Sequence, residues 1–102
     1  MTAQEKLKNA IGLAMKAGKC KSGDFSVERL LKQGEIRLLI LDSCVSDATR
    51  ERYGRYAETH GLPLIYLDEI GAAIGKPAHR IIGVTEDGFK NMILNAFEAS
   101  KQ

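Results

Sequence analysis

Gly12-Leu-Ala-Met-Lys-Ala-Gly-Lys-Cys-Lys-Ser-Gly-Asp-Phe-Ser-Val-Glu-Arg29 contains the end of one helix, a short basic strand, a glycine turn and the start of a second helix. The first helix is predicted over residues 3–17, where Leu7, Ala10, Ile11, Ala14 and Met15 recur at helical spacing and form one apolar stripe. Gly18 stands where a glycine in the left-handed conformation stops a helix. Lys19 to Ser22 reads as a short edge strand. Asp24 or Gly23 opens the second helix, with Val27, Leu30 and Leu31 facing inward, and Gly34 ends it. A helix entered through a glycine, with lysines just before it, is a natural anion site. The first N–H groups of a helix lack partners within it, and the peptide dipoles place positive charge there. Lys16, Lys19, Lys21 and Arg29 lie close in sequence around that point and are expected to converge with it into a cationic notch.

Beyond this stretch the pattern alternates. Ile36 to Leu41 is nearly continuous apolar, as in a strand covered on both faces. Ser46 is placed to cap a third helix over Asp47 to His60, closed by Gly61. Leu62 to Leu67 reads as a second buried strand, starting at or after Pro63. Asp68 is the predicted cap of a short helix over Glu69 to Ile74. Arg80 to Val84 is the next strand, and Thr85 the predicted cap of a last helix striped by Phe89, Met92, Ile93, Ala96 and Phe97. Strands alternating with helices predict one α/β domain spanning 1–102, with five helices on both faces of a sheet of about four strands.

Composition limits the function classes. With 102 residues and 44% hydrophobic content the chain can build a modest core without staples. It has no apolar run of membrane-spanning length. Its polar N-terminus and two cysteines favour a reducing cytoplasm. Net charge is +2, but residues 1–37 hold eight Lys/Arg against four Asp/Glu, and residues 38–102 hold seven against nine. A positive first third suits a polyanion gripped by one face; ordinary lysine-bearing helix surfaces would give the same count.

Several chemistries find no support. Gly18 and Gly23 are spaced as in a phosphate loop, but Asp24-Phe25 follow where Lys-Ser/Thr is required. Cys20, Cys44, His60 and His79 show no metal-ligand spacing, so neither a metal nor another cofactor is expected. Both cysteines read as buried thiols, although the basic surroundings of Cys20 would lower its pKa. Asp42, at the end of a strand, reads as a loop cap. Thr49-Arg-Glu-Arg-Tyr-Gly-Arg-Tyr56 reads as a solvated helix face with Tyr53 or Tyr56 partly packed, aided by a Glu51–Arg55 pair.

Six blocks together carry a resemblance across nearly the whole chain: Gly12-Leu-Ala-Met-Lys-Ala-Gly-Lys19, Ser22-Gly23, Leu39-Ile-Leu-Asp-Ser-Cys-Val-Ser46, Gly61-Leu-Pro-Leu64, Ile74-Gly-Lys-Pro-Ala-His-Arg80 and Gly83-Val-Thr-Glu-Asp-Gly-Phe89. They resemble the kink-turn-binding ribosomal proteins of the large subunit, the seven-Ae and thirty-e types, and among these the bacterial YlxQ-type branch. The resemblance implies a three-layer α-β-α sandwich with a mixed, mostly buried sheet. It also implies a cytoplasmic, non-catalytic RNA-binding protein, associated with ribosomal or other structured RNA, with ribosomal proteins as further candidate partners.

Members of that family bind RNA at the start of the second helix through a Gly-Thr-Asn-Glu-x-x-Lys motif, which falls here on Gly23-Asp24-Phe25-Ser26-Val27-Glu28-Arg29. The glycine and the final cation are kept. Phe25 and Ser26 replace the two residues that read base edges, and Asp24 adds a negative charge. Phe25 is either core or a platform on which a splayed base stacks. The family's second contact is the loop before the last strand, here Gly75 to Arg80, which brings in Lys76, Pro77, His79 and Arg80. The alternative to RNA binding is a protein-interaction scaffold that keeps the fold without kink-turn readout. A third, weaker reading is a small enzyme or nucleotide-binding protein using the Asp42 loop.

Overall fold

The computed structural model describes residues 2–101. All five residues of β2 (Leu38–Asp42) are buried. The remaining elements, in chain order, are α1 (Ala3–Lys16), β1 (Cys20–Ser22), α2 (Asp24–Lys32), α3 (Asp47–His60), β3 (Leu64–Leu67), α4 (Ile70–Ala73), β4 (Ile81–Val84) and α5 (Asp87–Ser100). The sheet order is β1-β4-β2-β3. β4 runs antiparallel to both β1 and β2, whereas β3 is parallel to β2. The sheet is therefore mixed, and the one parallel pair is joined by a crossover through α3, since parallel strands cannot be linked by a tight hairpin.

Side chains alternate along a strand, and here both faces are covered. Leu38 and Ile40 join Cys20, Ile65, Ile82 and Val84 beneath α1, α4 and α5. Leu39, Leu41 and Ile81 pack with Val27 and Leu31 of α2 and Tyr53 and Ala57 of α3. These two layers explain why β2 reads as an unbroken apolar run, and they make the molecule the expected α-β-α sandwich. Close approach of α2 to the sheet depends on Gly83. A Cβ there would lie 2.6 Å from Ile36 Cδ1 and 3.2 Å from Val27 Cγ1.

The helix boundaries follow local chemistry. Thr2 and Glu5 form a reciprocal capping box on α1. The Ser46 hydroxyl accepts from Thr49 N–H at the start of α3, and Gly61 closes that helix in the left-handed conformation. Four expectations need correction. Glu86, not Thr85, caps α5, accepting from Phe89 N–H at 3.2 Å. The Thr85 hydroxyl is instead taken up by the Lys19 carbonyl, across the β1–β4 pair. β3 is an edge strand in which only Ile65 is buried, because no further strand covers its outer side. Asp68 does not cap α4; it accepts a hydrogen bond from the Ser43 hydroxyl.

The fourth correction concerns Cys44, which is exposed, whereas Cys20 is buried as expected. Burial pushes the Cys20 thiol up to about 11, and the charges of Lys21 and Lys76 offset only part of that. The basic surroundings therefore do not activate it.

The α4 cap comes from Asp42. Register places Asp42 opposite Leu67, beside the turn into α4. Its Oδ2 accepts from Ile70 N–H at 3.2 Å, and its Oδ1 from Cys44 N–H at 2.9 Å. Burial acts to raise its pKa, but the two amide bonds and Arg80, 3.7 Å away, outweigh it and hold the carboxyl below its usual range. No described helix is long and apolar enough to cross a membrane. Among the described residues no cluster of three or more metal-ligating side chains occurs.

Candidate nucleic-acid interface

α2 begins at Gly23, which adopts φ 93° and ψ 145°. Its N–H donates to the Ile81 carbonyl at 2.9 Å, and its own carbonyl accepts the first helical bond, from Val27. Among the described residues no side chain caps this helix, whereas α1, α3 and α5 are each capped by one. The first-turn N–H groups of α2 thus lack a side-chain acceptor and keep their affinity for an anion.

The loop before β4 is folded onto the start of α2. Gly75 takes a left-handed turn, Lys76 N–H returns to the Gly71 carbonyl, and His79 N–H donates to the Lys76 carbonyl. The loop lies so close to Gly71 that a Cβ there would sit 2.5 Å from the Lys76 oxygen and 2.9 Å from those of Pro77 and His79. His79 Nδ1 lies 2.6 Å from the Ser22 hydroxyl. The imidazole faces Gly23, where an added Cβ would be 3.6 Å from it. Gly23, Asp24, His79 and Arg80 then line one open cleft of about 530 Å³, completed by Cys44–Ser46, Thr49, Ala78 and Ile81.

The structure brings these four expected residues together but not the lysines. Lys16 lines a separate groove on α1 with Lys8, Leu13 and Ala73. Lys21 lines another groove with Leu30, Glu35, Arg37 and Thr85. Lys19, Lys76 and Pro77 are exposed outside the cleft lining. None of these lysines lines the cleft with Gly23, Asp24, His79 and Arg80, so the notch expected from closeness in sequence is not the cleft itself. Alternation along β1 turns Lys21 toward the α2 side, and α1 ends in another part of the surface.

Arg29 is exposed on α2, and Ser26 is half-buried in its first turn. Phe25 is 81% exposed, which overturns its reading as core. Val27 and Leu31 occupy the inward face of α2. Phe25 lies two residues before Val27, about 200° around the helix, and so faces outward.

Sequence reasoning missed the partner of Asp24. Arg52 on α3 donates from Nη1 and Nη2 to the two Asp24 oxygens at 2.9 and 2.8 Å, and from Nη1 to Glu28 Oε2 at 2.5 Å. The Tyr53 hydroxyl donates to Asp24 Oδ1 at 2.6 Å, and that of Tyr56 to Glu28 at 2.9 Å. The Arg/Tyr stretch of α3 is thus no merely solvated face, and Tyr53 is fully buried rather than partly packed. Hydrogen bonds from Arg52 are the main reason the Asp24 carboxyl is held below its usual range; burial opposes them and Tyr53 assists. The bond to Asp24 in turn raises Arg52 further above its ordinary value. Burial first, and then Asp24, keeps Tyr53 protonated far into the alkaline range. The only sequence signal was an arginine beside two tyrosines, with nothing to say which acids they would meet.

Relatives share both the sequence and the shape. The RNA-binding protein YlxQ of Bacillus subtilis (strain 168) is 25% identical over 91 residues, which cover 86% of this chain and 91% of that protein. A Bacillus halodurans C protein with unknown function has a solved structure that superimposes with a TM-score of 0.85 at 25% identity, covering 91% of this chain and 97% of the other. The 15.5kD RNA binding protein of Giardia lamblia superimposes with a TM-score of 0.75 over 97% of this chain and 88% of its own; at 14% identity that likeness concerns the fold. The profile of the Ribosomal protein L7Ae/L30e/S12e/Gadd45 family matches residues 5–94, and since these include the whole sheet, the start of α2 and the loop seated on it, the chain belongs to that family.

Proposed function

We propose that this protein is a non-catalytic RNA-binding module that grips a structured RNA, kink-turn-like or related and ribosome-associated, at the start of α2. The observation that carries the reading is the Ser22–His79 contact, which seats the loop before β4 against the uncapped helix end. Membership of the family and the printed name of the Bacillus subtilis relative support it. First-turn N–H groups and Arg29 take the RNA phosphates, and Lys76, Pro77, His79 and Arg80 form the opposing jaw. Phe25 offers a stacking surface where edge-reading residues are absent. Lys16 and Lys21, from neighbouring grooves, and the exposed Lys19 contribute longer-range attraction.

The test is a titration of labelled kink-turn hairpins and ribosomal RNA fragments at two salt concentrations. Affinity falls steeply with salt, because cationic contacts release counterions, and Arg29→Glu weakens binding to every RNA tried. Binding indifferent to Arg29→Glu and Lys19→Glu would reject this reading. Absence of RNA binding by the intact fold would favour a protein-interaction scaffold.

A further inference from the structure

Two carboxylates on the side of α2 that faces α3 sit close to the proposed phosphate site. Asp24 is the first residue of the helix, and Glu28 lies one turn further on. Unneutralised, both would repel a polyanion, and Asp24 would compete for the positive end of the helix dipole. Arg52 reaches across from α3 and takes both at once. Its contacts to Asp24 are bidentate, and its guanidinium also lies over the Tyr53 ring, 5.1 Å from the centroid. Tyr53 and Tyr56 add one hydroxyl donor to each acid. Three donor contacts from a guanidinium with five N–H groups are thereby committed within the protein, and the geometry points it away from the role of a direct phosphate ligand.

We propose that Arg52 is a positioning residue that makes the start of α2 competent for RNA, by clamping Asp24 and Glu28 rather than by touching the nucleic acid. The inference rests on the proposed RNA-binding function. It explains how this chain carries an acid at the second position of the family motif without losing attraction for phosphate. The clamp pairs the acids with α3, while the Arg29 guanidinium is exposed on the helix.

The experiment compares wild type, Arg52→Met, Asp24→Asn/Glu28→Gln and the triple variant. Fluorescence anisotropy is recorded with a labelled kink-turn hairpin and a ribosomal RNA fragment at low and moderate salt, and thermal melting is recorded in parallel. Arg52→Met weakens binding about tenfold at low salt, since two charges are released beside a phosphate, and by less at moderate salt, where they are screened. In the triple variant binding returns to within about threefold of wild type, with the wild-type salt slope, because no phosphate contact has been removed. An arginine that contacts RNA directly would give a triple variant as weak as Arg52→Met with a salt slope shallower by about one, and that result overturns the inference. Unchanged binding by Arg52→Met also overturns it. Failure of wild type to bind either RNA removes the proposed function itself and this inference with it. Wild-type binding with no effect of Arg52→Met removes the inference alone.

Discussion

The imidazole of His79 sits 2.6 Å from the hydroxyl of Ser22, 57 residues away in the chain. β1 and β4 are antiparallel neighbours, with Ser22 opposite Ile82, so the end of β1 and the start of β4 meet at one edge of the sheet. The contact ties the entry to α2 to the loop that precedes β4. Gly23 lies between them at a backbone conformation that other residues rarely adopt. Gly23→Ala is expected to destabilise the fold by about 1–3 kcal/mol through backbone strain, since the added Cβ would make only ordinary contact with His79. Urea denaturation should give a lower midpoint with an unchanged slope.

Gly71 is a different case, because there space is the constraint. Its backbone is helical, but the carbonyls of Lys76, Pro77 and His79 crowd its Cα. Gly71→Ala should force the loop away and cost about 1–3 kcal/mol, the usual penalty of overpacking. Hydrogen exchange at the His79 amide, which is bonded to Lys76, should accelerate more than exchange in β2. Equal acceleration throughout would mean global destabilisation rather than loop displacement.

What could be read from the sequence was local in origin. The α1 stripe, the stops at Gly18, Gly34 and Gly61 and the Ser46 cap are each encoded within a few residues. The failures share a different character. Asp68 is a better-looking cap for α4 than Asp42, yet the buried end of β2 carries the acceptor that reaches Ile70 N–H. The Arg52–Asp24 pair joins residues 28 apart, and only the packing of α3 on α2 makes them partners. Lys16 and Lys21 stand close to Gly23 in sequence, but strand alternation and the end of α1 send them to separate grooves. Sequence patterns report which face is apolar; they do not report where charged tips from different elements converge.

Asp42 and Asp24 both contribute to the acid limb of stability. Both carboxyls have folded pKa values below the ordinary value, so the stability they contribute is present above the unfolded pKa of about 4 and is lost as pH falls through the folded values. Asp42→Ala leaves the Ile70 and Cys44 N–H groups without their acceptor and should cost about 1–3 kcal/mol at pH 7. The difference from wild type should shrink below pH 4, as the native carboxyl takes up its proton. Chemical denaturation at pH 7 and pH 3 checks both halves of the statement.

The two thiols should differ sharply in reactivity. Cys44 is exposed on the loop after β2, and Cys20 is buried with its pKa pushed up to about 11. A thiol-reactive disulfide reagent at neutral pH should label one cysteine of the native protein, identified as Cys44 by mass spectrometry. Cys20 should react only in denaturant, because little thiolate forms at neutral pH and access requires unfolding. Rapid labelling of both would show that the lysines near Cys20 dominate over its burial.

Phe25 separates stability from recognition. A residue 81% exposed contributes little to the core, so Phe25→Ala should change unfolding free energy by no more than about 0.5 kcal/mol. If the ring receives an unstacked base, the same substitution should weaken RNA binding by about 1–3 kcal/mol, the worth of one base–aromatic stack. Stacking is not a phosphate contact, so the salt slope should stay at the wild-type value while the whole affinity curve drops. Phe25→Trp should retain or improve affinity, since a larger ring preserves the stacking surface, whereas Phe25→Asn should restore hydrogen-bonding capacity without the ring. Tighter binding by Phe25→Asn than by wild type would place base-edge reading, rather than stacking, at this position.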